Sequence, residues 1–206
     1  MGDHLLLAGL ATQPDRLLAR LRRHPEIATV AEADVGQRLY QAARTVIRHR
    51  RSAAGTSEPG DLVSRGRAEG GRALTRLFSD VRAASGARAV ILHDPSGPLF
   101  PFLEPPAVSL VVLSRSAESA AAAIGAAGVA RVVDAARDAM AAFEGRVASF
   151  GVPAARTVTI DEDQLEDDPA AALAGFCRAI GVAADPETVS ALLAPAPVDV
   201  RSKGGA

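Results

Sequence analysis

The sequence predicts an α/β fold, a single domain in which a central parallel sheet is flanked by helices. Three observations predict it. Two short apolar runs rich in β-branched residues, Ala89–Leu92 and Val108–Leu113, are set apart by Pro/Gly punctuation and read as strands buried on both faces. Each run ends in polar residues, His93 after the first and Ser114-Arg115 after the second. This puts an imidazole and a guanidinium at the carboxyl ends of neighbouring strands, where open α/β sheets bind ligands. The order of patterns along the chain, strand, helix, further helices, two strands, two helices, strand, two helices, describes one α/β unit without internal repeats or a dividing linker.

In chain order, Leu5–Leu10 reads as a first buried strand. Thr12-Gln13-Pro14-Asp15 then starts a helix over about Pro14–His24 with a stripe of Leu17, Leu18 and Leu21; proline in the first turn and an acidic residue beside it are ordinary helix-start chemistry. A strand, turn and helix in this order offer unpaired N–H groups to an anion if the turn residues are suitable. Val35–Arg51 has helical spacing through Leu39, Ala43, Val46 and Ile47, with Arg38, Arg44, Arg48, His49 and Arg50 on its other face. GTSEPG, residues 55–60, reads as a surface loop. A helix capped by Asp61 is expected to run to about Ala84, weakened and open to a break at Gly66, Gly70 and Gly71.

Beyond the two central strands, Ser116–Ala127 reads as a helix of small residues and Val129–Phe150 as an amphipathic one. Arg156–Ile160 is the last expected strand. Asp168-Pro169 and Asp185-Pro186 are both cap-plus-proline signals, for helices through Leu173, Phe176 and Ile180 and then to about Ala194. The domain is expected to span 1–194, with 195–206 as a C-terminal tail.

At 206 residues and 48% hydrophobic content the chain is able to bury a core, and disorder is not the expectation. The net charge of -1 conceals an asymmetry. Residues 1–76 hold 13 of the 23 basic and 8 of the 24 acidic side chains, +5, which leaves -6 for the remainder. Scattered arginines on solvated helix faces account for such an imbalance as readily as an anion-binding face does. Cys177 is the sole cysteine, which excludes an internal disulfide and any multi-cysteine metal site and fits a reducing cytoplasm. The apolar run near the N-terminus has no basic region before it and is shorter than a signal peptide or membrane span requires. Aromatics make up 3% of the chain, too few for the stacking platforms that bind nucleic acid. Arginine is favoured over the single Lys203, and alanine is abundant, a bias of the bacterial type. The acidic run Asp161, Glu162, Asp163, Glu166, Asp167, Asp168 reads as a solvated face complementing a helix dipole, so no metal site is expected.

Three blocks in this order resemble the sulfotransferase family. LLLAGLATQPDRLLARLRRHPEI (5–27) is similar to the family's opening strand, phosphosulfate loop and first helix. LVVLSRSAESAAAAI (110–124) is similar to the strand ending in Arg that precedes the 3′-phosphate helix. DQLEDDPAAALAGFCRAIGV (163–182) resembles the family's Glu-Asp-Leu, Asp-Pro and following helix. The resemblance implies a sulfotransferase-like, P-loop NTPase-like topology binding 3′-phosphoadenosine 5′-phosphosulfate.

Residue by residue the implied donor site is degenerate. The family loop has the form Pro-Lys/Arg-Ser-Gly-Thr-Thr; here Ala11, Thr12, Gln13, Pro14, Asp15 and Arg16 stand in its place. Pro14 has no N–H to donate and Asp15 brings a negative charge, leaving Thr12 and Arg16 as the remaining anion ligands. Arg115 matches the arginine of the 3′-phosphate and is expected to be partly exposed in a cleft. The serine usual eight residues on is Ala123, with Ser119 as a substitute one turn closer. Arg201-Ser202-Lys203-Gly204 faintly resembles the family's C-terminal phosphate loop, or is a basic tail. His93-Asp94-Pro95, 22 positions before Arg115, resembles the His-x-Pro that supplies a general base; the alternatives are a histidine in place of the family's lysine, or a structural one.

Two functions follow. One is a sulfotransferase-fold protein with a silent donor site and a binding or assembly role, its partner a protein or another ligand. The other is a small-molecule sulfotransferase moving a sulfuryl group to a hydroxyl acceptor with His93 as base. A homo-oligomer is left open. For the loop, the expectation is that it encloses no anion and that Asp15 or Thr12 caps the helix.

Overall fold

The computed structural model describes residues 2–30, 59–94, 108–124 and 130–194. Strand β1 (Gly2–Ala8) leads through a turn into α1 (Pro14–Leu21), followed by β2 (Ile27–Val30), the long helix α2 (Pro59–Ser85), and strands β3 (Ala89–His93) and β4 (Ser109–Ser114). Helices α3 (Ala117–Ala123) and α4 (Ala130–Ser149), a 3-10 turn at Ala154–Arg156, and β5 (Thr157–Asp161) come next. Helices α5 (Glu162–Asp167), α6 (Pro169–Ile180) and α7 (Pro186–Leu193) complete the described chain.

The strands form one sheet, all parallel, in the order β2-β3-β1-β4-β5. β1 is central, as its continuous apolar character predicts, and it separates the strands that end at His93 and Ser114, which are therefore not neighbours as expected. Alternation along the strands divides the core into two layers. Leu6, Ile91, Val111 and Ile160 pack against α1, α5, α6 and α7 through Leu18, Leu165, Leu173 and Leu192. Leu5, Leu7, Leu92 and Val112 face the other way, onto Leu74 and Phe78 of α2 and Phe143 of α4.

The Asp-Pro signals hold. Asp168 accepts from the Ala171 N–H at 3.1 Å and Asp185 from the Thr188 N–H at 2.9 Å. Helix α6 ends as its Ala-Ile-Gly-Val sequence suggests. Gly181 takes φ 77°, its N–H reaches the Arg178 carbonyl, and the Val182 N–H reaches that of Cys177, a Schellman ending. Cys177 is a fully buried core side chain, and burial pushes its thiol up to about 11. His24 is structural: it accepts from the Glu26 N–H through Nδ1 at 3.0 Å, which leaves Nε2–H to donate to the Ala183 carbonyl at 2.8 Å.

Several expectations are corrected. The first strand stops at Ala8, because a turn begins at Gly9 and draws Leu10 out of the sheet. Helix α1 ends at Leu21 rather than His24, where His24 turns back to bond the backbone. Helix α2 starts at Pro59, so Asp61 is not its cap and Pro59-Gly60 are not loop; it runs unbroken past Gly66, Gly70 and Gly71. The strand β2 and the helix α5 were not expected. The expected helix at 35–51, loop residues 55–58, residues 125–127 of the helix after β4, and the tail 195–206 lie outside the described residues. Among the described residues no helix is long and apolar enough to cross a membrane.

His4 and His93 set an acid limit on this fold. His4 is 4% exposed; burial first, then the positive charges of the N-terminus, Arg156 and Arg82, lower its pKa from 6.5 to about 4. Burial also lowers that of His93, against a smaller opposing pull from Asp15. The unfolded chain therefore binds more protons than the folded one below about 6.5, so stability is full above that value and falls as the pH drops toward 4. Urea unfolding at pH 7.5 and pH 4.5 is expected to show this loss. His4→Leu, which keeps the bulk and removes the titration, is expected to shrink it; an unchanged loss would assign the acid sensitivity elsewhere.

Candidate functional site

The carboxyl ends of β1, β4 and β5 bring together three chain segments that the sequence left separate. The first is the turn after β1. Gly9 donates its N–H to the Leu113 carbonyl at 2.8 Å, and a Cβ on Gly9 would stand 3.1 Å from that same oxygen, a tight approach that a larger residue would make only if the turn or β4 gave by a few tenths of an ångström. Ala11 adopts φ 56°, a left-handed conformation unfavourable for a residue with a Cβ. Thr12 Oγ1 donates to the Gly9 carbonyl at 2.9 Å. Thus Thr12 secures the turn, and helix α1 has Gln13 at its N-cap with no side-chain cap at all; neither Thr12 nor Asp15 caps it, contrary to expectation.

The second segment is the end of β4. Ser114 pairs in register with Asp161 of β5, so the residues that follow, Arg115 and Glu162, leave the sheet side by side. Arg115 is 6% exposed, not half-open in a cleft as its strand-end position suggested. Its Nη2 donates to Glu166 Oε1 at 3.0 Å and its Nη1 to the Ala11 carbonyl at 3.3 Å. Its Nε lies 3.4 Å from Glu162 Oε2 and 3.6 Å from Asp163 Oδ1. The third segment, α5, thus supplies three carboxylates to one guanidinium. Arg16 stands 4.0 Å from Glu166 with more than half of its side chain exposed.

The same short helix also takes up backbone donors. Glu162 Oε1 accepts the Gln13 N–H at 2.8 Å, at the start of α1. Asp163 Oδ2 accepts the Ser116 N–H at 2.9 Å, at the start of α3. Ser119 donates its N–H to the N-cap hydroxyl of Ser116 at 3.2 Å. Burial would raise the Asp163 pKa, but hydrogen bonds from Ser116 and Ser119 and the charge of Arg115 hold it below the usual aspartate value. Carboxylates from α5 therefore sit at the first amides of both helices that begin at these strand ends.

His93 is at the end of β3, beside Leu6 of β1 in register. It is 6% exposed, and neither ring nitrogen has a hydrogen-bond partner among the described residues. Burial keeps it neutral near pH 7. Of the residues singled out from sequence, the structure brings Arg16, Arg115 and Ser119 to one acidic helix, while Thr12 bonds within its own turn and His93 is linked to the region only through the charge of Asp15. The residues missed are Glu162, Asp163 and Glu166. Knowledge that β5 neighbours β4 would have found them, because the parallel register places Glu162 beside Arg115. No group of His, Cys, Asp and Glu side chains among the described residues is arranged to hold a metal ion.

Sheet order and strand-end site define an α/β protein, and its fold is sulfotransferase-like. The sulfotransferase domain of the Synechococcus PCC 7002 olefin synthase matches with a TM-score of 0.60 at 15% identity, over 97% of this chain and 78% of that one. The sulfotransferase domain from the curacin biosynthetic pathway matches with a TM-score of 0.54 at 12% identity, over 91% of this chain and 76% of that one. No protein-family model matches the sequence, and no curated protein does.

Arg115→Met is expected to lower the unfolding free energy by about 3–5 kcal/mol, because it strands the buried Glu162 without a cation. Adding Glu162→Gln to that variant is expected to recover part of the loss in denaturant titrations. A loss below about 1 kcal/mol would mean that the cluster behaves as a solvated surface ion pair.

Proposed function

We propose that this chain is a sulfotransferase-fold protein whose donor site is closed by its own carboxylates and that acts as a binding module. One observation carries the reading. Glu162, Asp163 and Glu166 of a single helix engage Arg115, the Gln13 N–H and the Ser116 N–H, the groups a nucleotide bearing phosphates at both ends would need.

3′-Phosphoadenosine 5′-phosphosulfate does not fit these residues. Its phosphates would have to displace carboxylates from amides already bonded at 2.8 and 2.9 Å, and the carboxylates would remain nearby. A like charge at 4 Å costs roughly 4 kcal/mol at an effective dielectric of 20. Pro14 supplies no N–H, and Asp15 adds another negative charge in the first turn of α1.

A second reading, a small-molecule sulfotransferase with His93 as base, has one observation in its favour. The imidazole is buried, uncharged at neutral pH and without a partner among the described residues, the state a proton acceptor requires.

Calorimetry with 3′-phosphoadenosine 5′-phosphate separates the two. The binding-module reading expects no heat at millimolar nucleotide, and weak binding to appear in the triple variant Glu162→Gln, Asp163→Asn, Glu166→Gln. Micromolar binding by the unaltered protein would overturn it and favour the enzyme.

A further inference from the structure

The acidic helix closes one face of the sheet's carboxyl end, and the other face is open there. Between α4 and the outer side of β4 and β5 lies a cavity of about 240 Å³. Its apolar wall is made by Val112, Phe143 and Val147, with Val112 and Phe143 belonging to the core layer opposite α5. Ser114 and Thr159 contribute hydroxyls and Glu144 a carboxylate. Thr157, on the same side, is different: its hydroxyl is already given to the Pro153 carbonyl at 3.3 Å.

The chemistry of this lining selects a ligand. The cation in its wall, Arg115, is committed to three carboxylates and the Ala11 carbonyl, so an anion gains no free counter-charge. Arg146 stands close by, over the Phe143 ring at 5.5 Å from its centre, and makes no ion pair with Glu144. Glu144 has no ion pair or hydrogen bond among the described residues, so a bound ammonium would not have to break an existing pair to reach it. The volume lies below the roughly 300–1,000 Å³ of sites for drug-sized ligands, which suits one ring with a short side arm.

We propose that this cavity binds a small amphipathic amine, its single apolar ring or branched body seated against Val112, Phe143 and Val147 and its ammonium paired with Glu144. The proposal deepens the binding-module reading and rests on it, since no nucleotide donor takes part. A carboxylate at the mouth of an apolar pocket recognises a cation whose hydrophobic part is buried beside it, whereas the same pocket repels an acid of equal shape.

Ligand-observed saturation-transfer NMR on the full chain tests this with three probes of matched shape: 2-phenylethylamine, 2-phenylethanol and 3-phenylpropionate. The amine is expected to bind about fivefold tighter than the alcohol, as a partly exposed ion pair allows, and the acid weakest. Glu144→Gln is expected to bring the amine down to the level of the alcohol and to leave the alcohol unchanged. Ala148→Phe, an exposed site on the cavity rim, is expected to block both without disturbing the core. Three results overturn the proposal: no saturation transfer from any probe at about 5 mM, equal binding of amine and acid, or an amine preference that survives Glu144→Gln. The nucleotide calorimetry is independent of this experiment. Absence of both ligands removes the amine site and leaves the closed donor site standing, while nucleotide binding alone removes both.

Discussion

The carboxyl end of the sheet depends on burying one guanidinium. Arg115 follows a strand whose side chains are nearly all inside and is itself buried. A buried charge of this kind is tolerated only when paired and hydrogen-bonded. The pairing comes from β5, which the parallel register delivers alongside. The demand then spreads: Glu162 and Asp163 must face inward, α5 must begin immediately after β5, and Asp161 caps it by accepting the Asp163 N–H at 2.9 Å. Arg115 in turn holds the Ala11 carbonyl, which fixes the turn after β1 in its left-handed bend.

Once built, that network places three carboxylates where two helices begin. The geometry common to phosphate sites is present, with a turn after the central strand and two helices starting at adjacent strand ends. The Gln13 and Ser116 amides and two of the three Arg115 nitrogens are hydrogen-bonded inside the protein. Glu162 Oε1 serves the Gln13 amide while Oε2 faces Arg115, so one carboxylate bridges both the loop and the guanidinium. Removing it from either partner exposes the other. The arrangement is therefore cooperative, and exchanging an internal carboxylate for a ligand phosphate would have to rearrange the turn, the arginine and α5 together.

The elements most legible in the sequence were those with self-contained signals. β1, β3 and β4 are continuous apolar runs, and α6 and α7 open on Asp-Pro, so local chemistry alone locates them. β2 escaped because Ile-Ala-Thr-Val is four residues long and buries only Ile27 fully, a pattern no different from a loop. The site was harder to read for a different reason. Arg115 looks like a solvent-facing strand end until β5 is known to lie beside β4, and the acidic run looks solvated until α5 is seen to turn Glu162 and Leu165 inward. Sequence position gives each residue's chemistry, but pairing across 47 residues, as between Ser116 and Asp163, is a property of strand order.

Strand alternation also explains why most side chains of the two faces are separate. On β5 the side chains of Val158 and Ile160 pack toward α6, while Thr157 and Thr159 look toward α4. The α5 carboxylates lie over the first layer, and Arg115, which they hold, also lines the cavity on the second, so the two faces meet at that one side chain. A fold of this kind is therefore able to carry an ion cluster on one face and a cavity on the other. That separation is the physical basis on which one scaffold supports unrelated functions. In this chain the polar face holds the Arg115 ion cluster, and the apolar face carries Glu144 without an ion pair or hydrogen bond among the described residues.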